Sequence, residues 1–472
     1  MSTPRKLAFN VVIASVSKIL NTVVALIGIK LVSKYLGVSS FGLYVTALAF
    51  SGLFGAIGDW GLYQTTTRNV SQPGADEKSI IGNVMALRIV LSLTIALVAP
   101  IVIYFLPYTT ELKLAILLIL LSYVFYSFYQ ILIGLFQKRL IMYKITLAEL
   151  VGKIIQLAII FAGVYFDLGF KFIIAGITAG MFSNFVIIYL LSRKFIKFKL
   201  QFNVSKWKTF LKESWPIGLS VIVTFIYFKA DIFLLKWLGT DEAVGIYGAG
   251  YKVLENITFF PGMIMGLVMP MLSFYILKDK KKFHSLINEN FKLFIILVIP
   301  LLIITLFFAE NIILLITSPE YLAATSVLRI VVFSLAFIFF GMLFGNILVA
   351  AKLQKQQLIA LSVCAVFNVS ANLIFIPKYS YIATSYVSVA TELLVVILSA
   401  YVAYRNLNFL PKIKNLGFII LAGLIMTAYI FILQSFSFFF LLLTSPLIYF
   451  VVLILLKVIT KKEINLLLKK EI

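Results

Sequence analysis

Seven basic residues fall inside long apolar segments of this sequence, where a cation facing lipid is unfavourable. They are Lys18, Lys30, Arg88, Lys153, Lys229, Lys252 and Arg329. At about 2.5 to 3.5 kcal/mol for each mid-membrane cation, exposing all of them to lipid would cost on the order of 20 kcal/mol, more than a typical folding stability. The cations must therefore snorkel, form ion pairs, or border a hydrated cavity, and such a cationic cavity would bind an anion.

Spacing along the helices predicts which of these cations have an acidic neighbour. Glu149 precedes Lys153 by four residues, and Lys252 precedes Glu255 by three. Side chains three or four apart share a helical face, so both pairs allow an ion pair within one helix. Structural pairing and a ligand-binding role both remain open for these two lysines.

Two other cations, Lys18 and Arg88, lack an acidic neighbour on their own predicted helix. Lys18 lies on a polar stripe, and Arg88 shares a face with a serine. Both are therefore predicted to line the cationic cavity, whereas Lys30 and Arg329 lie close enough to the outer boundary to snorkel.

Carboxylates inside the apolar segments are candidates for ion or proton coupling. Asp231 belongs to a polar seam on one side of the predicted seventh span, while Lys229 projects from the opposite side. Glu392 lies in a serine-rich seam of the predicted twelfth span. A buried carboxylate has a raised pKa and can exchange a proton, so H⁺ or Na⁺ could couple through Asp231 or Glu392, with Glu255 and Glu149 as further candidates. The alternative for each acid is an interhelical salt bridge.

The elements that carry these residues are predicted to be membrane-spanning helices. Hydrophobic residues make up 62% of the 472 residues and charged residues only 12%, about half the roughly 25% of a soluble domain. Apolar runs of about 20 residues predict fourteen spans. They cover residues 7–32, 41–62, 80–105, 111–136, 145–166, 171–192, 214–238, 243–275, 288–309, 325–350, 356–376, 380–404, 415–434 and 437–457.

The net charge of +23 is unevenly divided between the predicted loops. Assigning alternate loops to opposite sides places 29 basic residues on one side and five on the other. The positive-inside rule then orients both termini of a multi-pass membrane protein to the cytoplasm. The excess charge is attributed to the membrane and its lipids, not to nucleic acid. The first span is predicted to remain in the mature protein, because Lys18 interrupts it and no cleavage pattern follows.

An internal repeat predicts two related halves. The segment from Lys34 to Gly37 followed by Gly42 recurs as Lys236 to Gly239 followed by Gly245, 202 residues later. Because the offset covers six spans, the predicted lobes have the same orientation and enclose a central cavity. The predicted domains are an N-terminal lobe at 1–192, a cytoplasmic basic linker at 193–213, a C-terminal lobe at 214–405, and a C-terminal helix pair with a basic tail at 406–472.

Composition also excludes several classes of function. The single cysteine and single histidine, Cys364 and His284, rule out a disulfide framework and a multi-cysteine metal site and make histidine-based catalysis improbable. Predicted external loops are short, and no nucleotide-binding or hydrolase pattern occurs in a suitable context. We therefore expect a transporter without a cofactor or metal, and not an enzyme.

Three segments resemble the signature sequences of bacterial polysaccharide flippases of the O-antigen (Wzx) type. They are Ala230-Asp231 through Lys236-Trp-Leu-Gly239, Gly245-Ile-Tyr247 through Lys252, and Gly58-Asp59-Trp-Gly61 with Thr67-Arg68. These flippases belong to the multidrug/oligosaccharidyl-lipid/polysaccharide exporter (MOP) superfamily. The resemblance implies twelve to fourteen helices, a cationic cavity, and outward movement of undecaprenyl-pyrophosphate-linked oligosaccharides by alternating access, for O-antigen, lipopolysaccharide or capsule synthesis alongside other assembly proteins.

Three other functions remain open at this point. A multidrug exporter of the same superfamily would favour an acidic cavity, whereas basic residues in the spans outnumber acidic ones here. A peptidoglycan lipid-precursor flippase differs only in its substrate. A polytopic polysaccharide polymerase or ligase would carry a larger external loop.

Overall fold

The protein is described here by a computed structural model that covers residues 3–72, 74–139, 141–413 and 415–459, with side chains from residue 16 onward. All regular structure within these ranges is helical, which confirms the predicted all-α class. Eleven helical stretches of the described residues are long and apolar enough to cross a membrane. Lys414 and the basic tail from Lys461 to Lys470, which entered the prediction of orientation, lie outside the described residues.

The chain divides into two compact units, the first being Met1–Gly245 with Ile316–Ser318. Its helices are α1 (Thr3–Asp59), α2 (Leu62–Ser71), α3 (Glu77–Phe105), α4 (Thr110–Lys138), α5 (Tyr143–Tyr165), α6 (Phe170–Ser192) and α7 (Val204–Leu238). Apolar residues of α2, α3, α4 and α6, among them Leu62, Ile81, Leu132 and Ile188, form one buried core. This core packs α3, which carries Arg88, against its neighbouring helices.

The second unit comprises Ile246–Leu315 and Pro319–Ile472. Helix α8 (Asp241–Ile257) begins at the end of the first unit, and α9 (Phe259–Lys278), α10 (Lys280–Ile316), α11 (Ala324–Ala350), α12 (Gln354–Leu407), α13 (Leu416–Ile432) and α14 (Phe438–Leu455) follow. Apolar side chains of α10, α13 and α14 form a shared core, including Ile296, Met426 and Tyr449. The predicted C-terminal helix pair is thus confirmed as two helices.

Two of the helices are interrupted by a non-helical residue that separates two predicted spans. Gly37 has φ 69° inside α1, and Ser380 has φ 50° inside α12. The 44 residues from Val16 to Asp59 would extend about 66 Å as one straight helix, twice the roughly 30 Å of a hydrocarbon core. Each of these two helices therefore supplies two predicted spans, and every predicted span except the eighth falls largely within one helix.

Two details differ from the sequence prediction. The predicted eighth span at 243–275 is divided between α8 and α9, because Pro261 has no N–H to donate to the carbonyl of Ile257, where α8 ends. The short helix α2 was not predicted; its arrangement follows from Trp60 and Gly61, whose φ values of 46° and 73° end the preceding helix. The predicted lobes at 1–192 and 214–405 remain a prediction. The compact units divide the chain at a different place, with α7 in the first unit.

The repeated segments lie at helix junctions and contact each other within the first unit. Gly37 separates the two parts of α1, and Gly239 follows the last residue of α7. A Cβ atom on Gly42 would lie 1.9 Å from the carbonyl oxygen of Asp241, and one on Gly245 would lie 2.1 Å from that of Val38. The two copies therefore approach so closely that only glycine fits at either position.

Candidate functional site

Arg88 of α3 forms a buried ion pair with Asp59 at the end of α1. Its side chain is fully buried, and its guanidinium Nη2 donates to the Asp59 carboxylate. Nη1 donates to the carbonyl oxygen of Gly58 at 3.0 Å, and the same carboxylate accepts from the backbone N–H of Tyr63 at 3.1 Å. Arg88 thus fixes the junction between α1 and α2 from a neighbouring helix.

The junction itself depends on its glycines. A Cβ atom on Gly58 would lie 1.6 Å from the hydroxyl oxygen of Tyr123, and one on Gly61 would lie 2.6 Å from the carbonyl oxygen of Ser214. The Gly58-Asp59-Trp60-Gly61 segment is therefore a tight corner between three packed helices. This packing explains why glycine occupies both positions.

The prediction that Arg88 lines a cavity is wrong for this conformation. A guanidinium with no exposed surface and a carboxylate partner offers no site to a solute anion. Sequence reasoning missed this pair because partners for Arg88 were sought on its own helix and Asp59 was not among the acids considered for pairing between helices. The signal was present, since Asp59 is itself within the predicted span at 41–62.

The paired charges of α5 have separate neighbours in the structure. Glu149 accepts a hydrogen bond from the hydroxyl of Tyr129 at 2.6 Å, and Lys153 Nζ donates to Gln156 Oε1 at 3.0 Å. Lys153 and Glu149 are both half-buried. This face of α5 is therefore polar and contacts α4 through Tyr129. The Lys153 side chain remains partly exposed.

The remaining charges of the first unit lie on α1 and α7. Lys18 and Lys229 are half-buried, and Lys30 is exposed, as expected for a side chain that snorkels. Asp231 is buried, with only 2% of its surface exposed. This burial agrees with the predicted polar seam, while the coupling role of Asp231 remains a prediction.

In the second unit, Lys252 and Glu255 form the predicted ion pair along α8. Lys252 Nζ lies 2.5 Å from Glu255 Oε2, and both side chains are partly exposed. The pair neutralises Lys252 within its own helix, so it is a weaker candidate for binding an anion. Partial exposure of both partners makes its contribution to stability small.

Glu392 lies within a buried polar seam that joins α11 to both parts of α12. Asn368 donates to the hydroxyl of Thr391 at 3.2 Å, and Ser334 of α11 donates to Ser388 at 3.4 Å. Glu392 is 5% exposed and follows Thr391 directly. A carboxylate in such a layer could bind a cation or a proton, which is the chemistry that coupling requires.

Arg329 is exposed near the start of α11 and lines an open cavity with Glu310 of α10. This cavity belongs entirely to the second unit. Among the described residues, no group of three His, Cys, Asp or Glu side chains is arranged to hold a metal ion.

Comparison with known proteins places this geometry in a transporter context. The model of the family described as "Polysaccharide biosynthesis protein" matches residues 7–276, and the MatE model matches residues 216–374. An uncharacterized membrane protein of Methanocaldococcus jannaschii, MJ1068, is 20% identical over 379 residues, which are 74% of each chain.

Solved structures share the fold at low sequence identity. The lipid II flippase MurJ in an inward closed conformation is similar with a TM-score of 0.77 and 18% identity, over 93% of this chain and 98% of that chain. An inward-facing multidrug resistance MATE transporter of the MOP superfamily gives 0.63 and 16%, over 84% and 99%. A MOP superfamily transporter from Pyrococcus furiosus, with a binding pocket of reverse polarity, gives 0.57 and 15%, over 86% and 97%. The chain therefore has the MurJ/MATE-like transporter fold.

Proposed function

The chain belongs to the polysaccharide biosynthesis protein family, and from this premise we propose that it is a flippase for undecaprenyl-pyrophosphate-linked oligosaccharide repeat units. It has the fold of MOP-superfamily transporters and is not an enzyme. The observation that carries the proposal is the family match over more than half of the chain, joined to a transporter fold along nearly all of it. In this proposal the units move from the cytoplasmic to the outer leaflet by alternating access and supply O-antigen, lipopolysaccharide or capsule synthesis.

The basic residues within the spans suit the negative charge of this substrate. A lipid-linked oligosaccharide presents a pyrophosphate and a polar glycan, neither of which enters hydrocarbon without a large cost. Half-buried lysines on apolar helices offset that cost for the pyrophosphate through charge-assisted hydrogen bonds. We assign this role to Lys18 and Lys153, and Lys229 is a further candidate. Each of these side chains is half-buried on an apolar helix of the first unit.

Charge also separates this proposal from export of organic cations. Seven cations lie within the predicted spans, against the four predicted acids Glu149, Asp231, Glu255 and Glu392. A basic excess favours an anionic substrate over the cations that an acidic cavity would bind.

A peptidoglycan lipid-precursor flippase is the second candidate. The specific observation in its favour is the TM-score of 0.77 to the lipid II flippase MurJ. Both substrates carry a lipid-linked diphosphate and sugar, so the same basic residues would serve either one. We prefer the oligosaccharide repeat unit as substrate because the matching family is described as a polysaccharide biosynthesis protein.

In this proposal, energy for export has two sources. With the cell interior negative, each anionic charge that moves outward gains about 2.3 kcal/mol per 100 mV. We also propose that Asp231 or Glu392 couples transport to H⁺ or Na⁺, since both are buried carboxylates. The site for this activity is a bacterial inner membrane with both termini in the cytoplasm, where other polysaccharide assembly proteins would receive the unit.

Depletion of the protein in its own host tests the substrate. We expect a lipid-linked repeat unit to accumulate on the cytoplasmic leaflet and surface polysaccharide to fall. Wild-type protein and the Lys171→Ala variant should restore both, because Lys171 is exposed at the start of α6. Accumulation of a peptidoglycan precursor would select the second candidate, and unchanged lipid-linked pools would refute both.

A further inference from the structure

The second unit contains a cavity with two opposite charges that do not meet. It has a volume of about 620 Å³, and Glu310 of α10, Arg329 of α11 and Tyr386 of α12 line it. Neither Glu310 nor Arg329 forms a hydrogen bond or ion pair with the residues that the structure describes. Both side chains are exposed, so the cavity presents an acid and a base that a single ligand with both charges can contact.

The three side chains lie at the same depth from one end of the second unit. Glu310 is six residues before the end of α10, Arg329 is five residues after the start of α11, and Tyr386 is six residues after the interruption at Ser380. At 1.5 Å per residue these positions are about 8 to 9 Å from the helix ends. This depth, with an exposed tyrosine, is typical of the layer where lipid headgroups meet the hydrocarbon.

Hydroxyl groups complete the polar wall of the cavity. Thr325 lines it with a side chain that is 9% exposed, and its Oγ1 has no hydrogen-bond partner among the described residues. Ser326 also lines the cavity and donates to the carbonyl of Ala323 at 2.7 Å, which leaves its oxygen lone pairs to accept from a ligand. The Thr325 Oγ1 is enclosed by protein, so Ser326 is the hydroxyl that a ligand in the cavity reaches.

We propose that this cavity binds the headgroup of a zwitterionic phospholipid, with the phosphate on Arg329 and a primary ammonium on Glu310. A headgroup with phosphate alone would bring a second anion to Glu310, and one with an ammonium alone would leave Arg329 unneutralised. In phosphoethanolamine, the two groups are joined by two carbons and the ammonium retains protons to donate. The quaternary ammonium of phosphocholine has none, so the cavity favours phosphatidylethanolamine over phosphatidylcholine.

The apolar surroundings agree with a lipid as the source of this headgroup. Tyr386 and Leu322 line the cavity with 61% and 45% of their surfaces exposed. These side chains can pack against the glycerol and the first carbons of the acyl chains. The site is separate from the assignment of Lys18 and Lys153 to the transported substrate, and it stands whether or not that assignment holds.

Native mass spectrometry of the purified full chain tests the proposal. The protein is titrated with phosphatidylethanolamine, phosphatidylglycerol and phosphatidylcholine that carry identical acyl chains. We expect wild-type protein to bind phosphatidylethanolamine about tenfold more tightly than the other two, a difference of about 1.4 kcal/mol. Equal binding of all three lipids would overturn the proposal.

Variants separate the two charges. Arg329→Gln should weaken binding of phosphatidylethanolamine about tenfold, Arg329→Lys should keep most of it, and Glu310→Gln should remove the preference over phosphatidylglycerol. Lys378→Gln and Glu320→Gln are the controls, because both residues are exposed at the same end of the second unit and neither lines the cavity. The proposal is wrong if Arg329→Gln binds phosphatidylethanolamine as tightly as the wild-type protein does, if Glu310→Gln retains the preference over phosphatidylglycerol, or if the control variants are weakened equally.

Discussion

Separating Arg88 from Asp59 should destabilise the protein without affecting the surface that a substrate contacts. Arg88 is fully buried and the Asp59 side chain is 10% exposed. Removing one partner of a buried pair leaves an uncompensated charge and costs about 3 to 5 kcal/mol. Asp59→Ala also leaves the N–H of Tyr63 without its acceptor, which adds about 1 kcal/mol. We therefore expect a loss of about 4 to 6 kcal/mol for Asp59→Ala and about 3 to 5 kcal/mol for Arg88→Gln.

Equilibrium unfolding by SDS titration in mixed micelles measures these losses. The double variant Asp59→Asn with Arg88→Gln should be less destabilised than the sum of its single changes by about 2 kcal/mol, because no buried charge is left alone. Glu213→Gln is the control: it breaks the exposed ion pair with Arg68 and should cost less than about 1 kcal/mol. Wild-type stability in Arg88→Gln together with lost transport would refute a structural role and restore Arg88 as a ligand.

Three further predictions concern the repeat contact, coupling and the substrate. Gly42→Ala should destabilise the protein because the new Cβ would lie 1.9 Å from the carbonyl oxygen of Asp241. Gly55→Ala on the same helix meets no atom within 4 Å and should be neutral or stabilising. Equal melting temperatures for the two variants would contradict the close approach. Glu392→Gln should alter the dependence of transport on pH or sodium in proteoliposomes, and an unchanged dependence on both would exclude Glu392 from coupling. Lys18→Ala should lower transport at least tenfold while Lys18→Arg retains most of it, and comparable rates in both variants would argue against pyrophosphate binding.

Much of the fold is predictable because apolar length is a strong signal. Helices such as α3 and α11 match their predicted spans closely, since runs of this length satisfy their backbone hydrogen bonds only as helices in a bilayer. The break between α8 and α9 was harder to place, because a proline can bend a helix or end it. Helix α2 was missed because its ten residues are too few and too polar to resemble a span.

The charged residues were less predictable, because partners on other helices are invisible to spacing along one helix. The Lys252 and Glu255 pair was found from a three-residue spacing and is confirmed. The Arg88 and Asp59 pair joins residues 29 apart in sequence, and no helical periodicity relates them. Identifying it requires the corner that Gly58 makes possible.

The most direct measurement of the central claim is translocation of a lipid-linked oligosaccharide in proteoliposomes that contain the purified protein. An impermeant reagent that oxidises sugars reports which leaflet holds the glycan. We predict that wild-type protein exposes undecaprenyl-pyrophosphate-linked repeat units to the reagent in the opposite leaflet, faster with a favourable membrane potential, and that Lys18→Ala slows this exposure. Translocation no faster than in protein-free vesicles, together with rapid movement of an organic cation, would contradict the account.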